Sequence, residues 1–429
     1  MSGSWSRGFS PVGPAPAPSA PRPVLFLMAD TGGGHRAAAE AVISALERRY
    51  PGAFDPVLCD PVGGPRAAWL LRRLAGLYGP TIRWVPLLWG AVFYVTNTRL
   101  TAALLRSTLL LLANRPVIEA VHRVRPAAIV SLHPLTVRAA VAARDHAGPD
   151  IPVMTVVTDL INPHVTWLDD GADRVVVPST AADWPRSPGR LRADRRIAAG
   201  PPVAAGFAAG PLRLSERKEL RRSLGLDEDR FVVVLAGGAE GSGGIARQAA
   251  GLLRRTDDVS VVALCGRSTR LERKLSSFAA RSGGRLIVKG FVGNMADWLS
   301  CADVVAGKAG PGTITEAGCC GGALVLTSSL PGQEHGNIEF VVQAGAGRPA
   351  RTVRSLVGEV KRLRDDRAAV ARMRLASLRL ARPDAADRIA AELAALAGVA
   401  PPVASARVAA DGHHGPRVAR HLQPGRSGR

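Results

Sequence analysis

The stretch that decides the fold reads ADVVAGKAGPGTITEAGCCGGALVLTSSLPGQEHGN and occupies residues 302–337. An apolar run near its start predicts a buried strand, and a glycine-rich turn follows at 307–313. The next residues have the pattern of a helix that carries Glu316, and a second apolar run at Ala323–Leu326 predicts another strand. Strand, helix and strand in this order are typical of a parallel sheet covered by helices.

The same alternation of apolar runs and helical patterns extends to both sides of this stretch. Each half of the chain has a glycine-rich turn after its first strand, and a Gly-, Pro- and Ala-rich stretch at 200–210 predicts a linker between the halves. A chain of 429 residues also exceeds what one hydrophobic core supports. We therefore predict an α/β protein of two Rossmann-like domains, whose cleft faces the carboxyl ends of both sheets. Further strands are predicted at Val24–Met28, Ala128–Leu132, Val153–Val157, Arg174–Val177, Phe231–Ala236, Val259–Cys265, Leu286–Lys289 and Val304–Val305, and helices at Ala37–Arg49 and Gly244–Arg255.

The predicted boundaries divide the chain into five parts. Residues 1–22 are rich in Pro, Ala, Gly and Ser and are predicted to be a disordered tail. The two Rossmann-like domains are placed at 23–205 and 206–375. Residues 376–398 are predicted to form a helix that packs back toward the first domain, and 399–429 a disordered basic tail.

The composition is ordinary except for its charge, which is +21 at neutral pH. Such a surplus attracts polyanions, either nucleic acid or an anionic lipid surface. The sequence contains no helix-turn-helix, zinc-finger or aromatic RNA-binding motif, so nucleic acid is not an expected partner. The five cysteines have neither metal-ligand spacing nor a secreted disulfide framework, which favours a reducing cytoplasm.

The first glycine turn reads DTGGGHR at residues 30–36. Gly33 and Gly34 allow the backbone to approach a ligand closely, and the turn differs from the spaced GxGxxG of dinucleotide-binding proteins. His35 follows at the helix entrance, facing the predicted cleft, where an imidazole of pKa about 6.5 can take a proton from a hydroxyl. A histidine that only caps or packs at the helix start is the alternative.

Groups suited to a nucleotide-sugar follow three strands of the second half. Backbone N–H groups of the turn GGAEGSGG at 237–244, and of the turn before the helix with Glu316, can bind a diphosphate without a metal. Glu316 lies one turn into its helix, where its carboxylate can accept two ribose hydroxyls. The amide and acid side chains of the last loop are of the kind that reads the hydroxyls of a sugar: Gln333, Glu334 and Asn337. A capping carboxylate and a polar surface loop are the alternatives.

One acidic pair has the look of a metal site. Asp169 and Asp170 are followed by Gly171, and this order is more typical of a surface turn than of a DxD metal-binding motif. We therefore predict no metal.

Residues 61–118 contain seven Arg and no acidic residue, interleaved with Trp, Tyr, Phe and Leu. This composition is typical of a segment that lies on an anionic bilayer, with Arg83, Trp84 and Trp89 among the expected contacts. The longest apolar runs are too short to span a membrane or are broken by Arg106. Ordinary core helices of the first domain are the alternative.

Together these motifs resemble the family 28 glycosyltransferases, and specifically the group of monogalactosyldiacylglycerol synthases and processive diacylglycerol glucosyltransferases. The resemblance extends over about residues 23–350. It includes DTGGGHR, SLHPL at 131–135, GPPV at 200–203, KGFVGNMADWL at 289–299, and KAGPGTITEA with PGQEHGN. It implies a GT-B fold and inverting transfer of a hexose from UDP-galactose or UDP-glucose to diacylglycerol or a related membrane lipid. It implies no cofactor, because the UDP-sugar is a co-substrate.

The resemblance also implies roles for individual residues. His35 corresponds to the candidate base, with Asp159 beside it in the cleft. The second domain would bind the donor through Gly237, Gly238, Glu240, Gly241, Phe291, Val292, Lys308, Gly310, Pro311, Gly312, Thr313, Glu316, Gln333, Glu334 and Asn337. The first domain would face the acceptor and the membrane through Gly33, Gly34, His133, His164, Arg83, Trp84 and Trp89.

Three other functions fit parts of the sequence. One is transfer of N-acetylglucosamine to a polyprenyl-linked acceptor, another is epimerisation of a UDP-sugar on the same fold, and the third is a UDP-sugar sensor without catalysis. The forms DTGGGHR and PGQE favour the diacylglycerol group. The Arg- and aromatic-rich stretch at residues 61–118, which we call the cationic aromatic segment, counts against an epimerase. The expected location is the cytoplasm, peripheral on the inner face of the cell membrane.

Overall fold

The computed structural model describes residues 20–29, 33–148, 150–178, 193–241, 243–400 and 420–421. The first domain is a parallel sheet with the strand order β2-β1-β3-β4-β5-β6. Its strands are β1 (Arg22–Leu27), β2 (Phe54–Cys59), β3 (Ala128–Ser131), β4 (Val153–Val156), β5 (Arg174–Val177) and β6 (Arg196–Ala198). Its helices are α1 (Gly34–Arg49), α2 (Trp69–Trp84), α3 (Pro86–Thr96), α4 (Arg99–Ser107), α5 (Asn114–Val124) and α6 (Val137–Ala147).

The second domain repeats this plan in a six-stranded parallel sheet of order β12-β11-β10-β7-β8-β9. Its strands are β7 (Phe231–Ala236), β8 (Val259–Leu264), β9 (Leu286–Lys289), β10 (Val304–Lys308), β11 (Ala323–Ser328) and β12 (Gly347–Pro349). Its helices are α7 (Leu214–Ser223), α8 (Ile245–Arg255), α9 (Thr269–Ala279), α10 (Met295–Ser300), α11 (Pro311–Cys319), α12 (Asn337–Gln343), α13 (Val353–Asp365) and α14 (Arg367–Leu380).

Helices cover both faces of each central strand, which explains the continuous apolar runs. Every residue of β7 and β8 is buried, and their side chains divide between two core clusters on opposite faces of the sheet. A strand buried on both faces has no polar side to show, so its sequence does not alternate. The predicted pair of Rossmann-like domains is therefore present.

A buried carboxylate links the amino-terminal ends of two central strands of the second sheet, at the end of the sheet away from the cleft. Asp303 is 2 % exposed, accepts the backbone N–H of Val232 at 2.8 Å and pairs with Arg221 at 2.8 Å. Arg221 also donates to the carbonyl of Cys301 at 2.9 Å. Because a buried ion pair needs all its polar groups satisfied, this network ties α7 to the starts of β7 and β10.

The chain returns to the first domain near its end through α15 (Ala385–Leu396). Ile389 and Leu393 of this helix are completely buried against α1. The predicted crossing at residue 376 is too early, because Ala376 and Leu380 of α14 still pack on the second domain. The crossing takes place around 381–384.

Four short strands were not predicted. β2 contains Pro56 and an acidic residue, and such a sequence argues against a strand, but Pro is tolerated near a sheet edge. β6 and β12 have three residues each, too few to give a pattern. The fourth, β13 (Arg420–His421), pairs with Val57 and Leu58 of β2 and makes the first sheet seven-stranded, so the prediction of disorder over 399–429 is wrong for these two residues. The predicted tail at 1–22 lies largely outside the described residues, and Arg22 belongs to β1.

Candidate functional site

The glycine turns of the two domains meet at the carboxyl ends of their sheets. Gly33 has φ of 81°, a left-handed conformation that favours glycine, and begins the turn into α1. A Cβ added there would lie 3.1 Å from the Cβ of Ala239 in the second glycine turn. The first domain therefore closes directly onto the loop predicted to bind a diphosphate.

His35 lies at this junction, in a cage of aromatic and hydroxyl side chains. Its Nδ1 is 3.0 Å from Oγ1 of Thr158, and its ring is 4.5 Å from that of His133 and 6.1 Å from that of Trp167. Burial lowers the pKa of His35 to about 4, although a hydrogen bond to the carbonyl of Leu132 opposes the shift. The imidazole is therefore neutral near pH 7 and has a nitrogen able to accept a proton.

Asp159 lies behind the same cage and is 3 % exposed. Its Oδ2 accepts the indole N–H of Trp167 at 2.6 Å, and its Oδ1 accepts the amide N–H of Gln333 at 2.8 Å. Burial raises the pKa of Asp159 to about 6; these two hydrogen bonds oppose the shift and the nearby Glu334 adds to it. The bond to Gln333 crosses the cleft, so the predicted catalytic and sugar-reading groups are in direct contact.

Two of the residues predicted to face the sugar are buried and bonded to neighbouring groups. Glu334 is 3 % exposed; it pairs with Lys308 and accepts the backbone N–H of Leu330 at 2.7 Å. Asn337 is completely buried and donates to the carbonyl of Ala309 at 2.8 Å. Both side chains hold the turns around the cleft, because each satisfies a buried backbone group, and the charge of Lys308 is already compensated.

The start of α11 has the form expected for an anion-binding helix end. Pro311 occupies the first turn and follows Gly310, while Gly312 is exposed and Thr313 is partly exposed. A Cβ added at Gly312 would lie 3.8 Å from Oε1 of Glu316. Burial raises the pKa of Glu316 to about 7. Once it ionises, this carboxylate can accept hydrogen bonds from hydroxyl groups.

The second glycine turn is locked to the turn after β8. A Cβ at Gly241 would overlap the carbonyl oxygen of Cys265, and one at Gly266 would overlap that of Ala239. Both glycines have positive φ, at 60° and 56°. Glu240 and Gly238 are exposed on the outer side of this pair of turns, and Gly237 is buried at the end of the strand.

Arg267, in the turn after β8, is a cleft residue that the sequence did not reveal. Its backbone N–H donates to the carbonyl of Ala239 at 2.7 Å, and its guanidinium lies 5.2 Å from the ring centroid of Phe291. Its Nη1 is 4.0 Å from the carboxylate of Glu240. Phe291 is 65 % exposed and Val292 beside it is partly buried. The glycine that precedes the arginine was the available signal, since only glycine fits at that φ and that approach.

The cationic aromatic segment at residues 61–118 packs against the loop at 330–337, which carries Gln333. A Cβ at Gly90 of α3 would overlap the Cβ of Pro331, and one at Gly332 would overlap the ring of Phe93. His164 joins the same contact through Thr96, whose Oγ1 is 3.1 Å from its Nε2. Helix α3 therefore lies between the outer surface of the first domain and the loop of the second.

Tyr78 of α2 packs beside Trp89 in the cationic aromatic segment. Its ring is 4.9 Å from that of Trp89 in an edge-on arrangement, and the indole nitrogen of Trp89 is buried. Burial raises the pKa of Tyr78, and the carboxylates of Glu334 and Asp159 add to the shift. The phenol therefore stays protonated and lies within electrostatic reach of both acids.

The outward side of the same segment is apolar and uncovered by the rest of the described chain. Large side chains that are at least half exposed are Trp69, Leu77, Val85, Leu87, Leu88, Tyr94, Val95, Leu100 and Leu104. We call this set the apolar face. The side chains of Arg83 and Trp84 lie outside the described residues. Within the described part of the chain, no helix has the length and hydropathy needed to cross a membrane.

The acidic pair forms the turn expected from its sequence. Oδ1 of Asp169 accepts the backbone N–H of Gly171 at 3.0 Å, and its other oxygen is 3.7 Å from Arg138. Asp170 is exposed beside it. The carboxylate of Asp169 thus holds its own turn and points to an arginine.

Comparison with known families identifies both domains. The sequence profile of monogalactosyldiacylglycerol (MGDG) synthase matches residues 35–203, and that of the glycosyltransferase family 28 C-terminal domain matches residues 232–389. A probable monogalactosyldiacylglycerol synthase 2 from Oryza sativa subsp. indica is 32 % identical over 377 residues, which cover 86 % of this chain and 79 % of that protein. Monogalactosyldiacylglycerol synthase 1 from Arabidopsis thaliana is 31 % identical over 383 residues, covering 86 % and 70 %.

Solved structures support the fold alone. MurG from Acinetobacter baumannii superposes with a TM-score of 0.56 at 15 % identity, covering 86 % of this chain and 98 % of MurG. HepE from Anabaena, in complex with UDP and glucose, superposes with a TM-score of 0.54 at 17 % identity, covering 87 % and 99 %. The predicted GT-B fold is confirmed.

The comparison corrects one prediction. The expected location in the cytoplasm, on the inner face of the cell membrane, is wrong by this comparison, because the similar plant proteins are named as chloroplastic. The predicted enzyme class and family are confirmed. The chain is a UDP-sugar-dependent glycosyltransferase that belongs to the monogalactosyldiacylglycerol synthase family.

Proposed function

We propose that this glycosyltransferase moves galactose from UDP-galactose to the free hydroxyl of diacylglycerol at a lipid surface, with inversion at the anomeric carbon. The plant relatives named as monogalactosyldiacylglycerol synthases support the sugar and the acceptor. The observation that carries the proposal is the contact between Asp159 and Gln333, which brings the base side of the cleft to the sugar side. Transfer of N-acetylglucosamine and epimerisation are not favoured, since the family match extends over both domains.

Inversion needs one in-line displacement, with a base on the face of the sugar opposite the leaving group. His35 is the proposed base, because it is neutral near pH 7 and lies at the turn where the two domains meet. It takes the proton of the diacylglycerol hydroxyl as the oxygen bonds to the anomeric carbon, and UDP leaves with the electron pair of the broken bond. The carboxylate of Asp159, joined to the cage through Trp167, stabilises the imidazolium that forms.

The donor is proposed to lie across the second domain. Phe291 and Val292 contact the uracil, and Glu316 accepts the ribose hydroxyls. Backbone N–H groups of the second glycine turn and of the start of α11 bind the diphosphate. Gln333 contacts the sugar from the loop that α3 supports. No cofactor or metal has a step in this proposal, because these backbone groups stabilise the leaving diphosphate.

The apolar face is proposed to dock on an anionic lipid surface. Residues 61–118 hold seven Arg and no acidic residue, and the uncovered leucines and aromatics suit insertion between lipid headgroups. Each Lys or Arg near such a surface contributes about 1 kcal/mol, so several together hold the protein reversibly. Docking here brings the first domain, where the acceptor is proposed to bind, to the membrane that contains the lipid.

A substrate panel tests the reaction itself. The chain is incubated with radiolabelled UDP-galactose, UDP-glucose or UDP-N-acetylglucosamine and with vesicles that contain diacylglycerol, ceramide or a polyprenyl phosphate. We expect label in the lipid phase with UDP-galactose and diacylglycerol, and a β-linked product from an α-linked donor. Transfer from UDP-N-acetylglucosamine to the polyprenyl phosphate alone, or release of a changed UDP-sugar without transfer, would refute the proposal.

Replacement of the base should separate chemistry from binding. His35→Ala is expected to lower kcat by about 100- to 10,000-fold, the usual range for loss of a general base. UDP affinity, measured by calorimetry, should stay at the wild-type value, because the donor lies on the other domain. His146→Ala, at an exposed position on α6, is the matched control and should keep full activity. A fully active His35 variant would remove His35 as the base.

The pKa of Asp159 sets the acid limb of the pH profile. Both carboxylate oxygens accept N–H donors, so protonation breaks one of these bonds. The ionised form is lost as pH falls through about 6, and kcat should fall with it, with a slope of one. Asp159→Asn should lower kcat at every pH and abolish this limb, measured between about pH 5 and 8. An unchanged limb in the variant would assign it to another group.

Charge on the apolar face should prevent docking without harming the chemistry. Leu87 and Leu100 are 80 % and 81 % exposed. Leu87→Asp and Leu100→Asp should each lower the fraction bound to anionic vesicles in a flotation assay, and should keep transfer to a short-chain diacylglycerol in solution. Leu214→Asp, 63 % exposed on α7, is the control and should bind vesicles normally. Equal flotation of all three variants would exclude this docking surface. Vesicle binding that does not weaken with added salt would exclude the attraction to anionic lipid.

A further inference from the structure

We propose that Arg267 is the residue that neutralises the diphosphate of the donor and of the departing UDP. The proposal rests on the proposed function, because it needs a uridine diphosphate in the cleft. No motif of the sequence pointed to this arginine, which lies in the turn CGRS after β8 at residues 265–268.

The position of Arg267 is fixed by backbone rather than by its own side chain. Its N–H donates to the carbonyl of Ala239 at 2.7 Å, and Gly266 before it leaves no space for a Cβ against the carbonyl oxygens of Gly238 and Ala239. The turn of Arg267 therefore cannot move independently of the second glycine turn. A donor held by one turn is within reach of the other.

The guanidinium lies between Phe291, which is proposed to contact the uracil, and the glycine turn that precedes His35, the proposed catalytic base. It covers the ring of Phe291 at 5.2 Å, where the uracil is proposed to lie. On the other side, a Cβ added at Gly33 would lie 3.9 Å from Nη1, so the cation also reaches the glycine turn of the first domain. A diphosphate that links a uracil at Phe291 to a sugar near His35 passes this guanidinium.

The charge of Arg267 is also less compensated than that of Lys308. Lys308 is paired with the buried carboxylate of Glu334, and its side chain is 24 % exposed. Arg267 is 4.0 Å from Glu240 and both side chains are about half exposed, a geometry of little net stabilisation. An arginine offers two parallel N–H donors to phosphate oxygens, and pairing with a diphosphate replaces the weak contact with Glu240.

The contact between Arg267 and the ring of Phe291 should affect which uridine ligands bind. The guanidinium lies over the ring of Phe291, which is proposed to contact the uracil. When UDP binds, the guanidinium moves from the ring to the phosphates. The negative charge of the diphosphate thus exposes the ring of Phe291 to the uracil. Uridine without phosphates lacks the partner that draws the arginine away, and it should bind poorly.

Binding of UDP, UMP and uridine to the full chain tests the assignment by calorimetry. Arg267→Gln should raise the Kd of UDP by about 10- to 100-fold, since charge-assisted hydrogen bonds to phosphate are lost. The Kd of UMP should rise less, and that of uridine should stay unchanged or fall. Arg267→Lys should recover part of the UDP affinity, and kcat should follow the same order. Arg270→Gln, an exposed arginine one turn further on, is the control and should match the wild type.

Two results would overturn the assignment. One is wild-type UDP affinity in Arg267→Gln; the other is an equal loss for UDP and uridine, which would show that the arginine only supports the ring of Phe291. Failure of the wild-type chain to bind UDP would count instead against the donor half of the proposed function. UDP affinity that is partly kept in Arg267→Lys and lost in Arg267→Gln would show that the charge of the side chain is needed.

Discussion

The site depends on how the loop at 330–337 of the second domain is held by the first. Helix α3 packs against Pro331 and Gly332 on one side, and the loop that begins at Asp159 contacts the other side. Gly336 donates its N–H to the side chain of Asn162 at 3.1 Å. These contacts leave no room for a side chain at Gly332 or Gly336. The polar groups of both domains face each other only because of this fit.

The same closure determines the electrostatics of the centre. His35 and Asp159 are both removed from water, which lowers the pKa of the imidazole and raises that of the carboxyl. The two shifts reverse the usual order of the pKa values, to about 4 for the imidazole and about 6 for the carboxyl, and near pH 7 the imidazole is neutral and the carboxyl is ionised. The carboxylate keeps its charge because Trp167 and Gln333 donate to it. The pair of Lys308 with the buried carboxylate of Glu334 lies in the neighbouring turn.

Much of the fold could be read from local pattern, and less of the site. Strands such as β7 and helices such as α1 were predicted within a few residues, because apolar periodicity and glycine turns are local properties. β2 was missed since Pro56 is tolerated only through its place near the sheet edge. The bonds of Glu334 and Asn337 to backbone groups could not be predicted, because they depend on burial in the folded chain.

The sequence by itself determined the two Rossmann-like halves, the position of their glycine turns, and the family to which the chain belongs. These features depend on residues close together in the chain, whose spacing carries the signal. Only the tertiary structure joined Asp159 to Gln333, which are 174 positions apart, and set Arg267 over Phe291. Such contacts follow from how two domains pack, and packing depends on the shape of both surfaces at once. The pKa values of the centre follow from the same packing, because burial is a property of the folded chain.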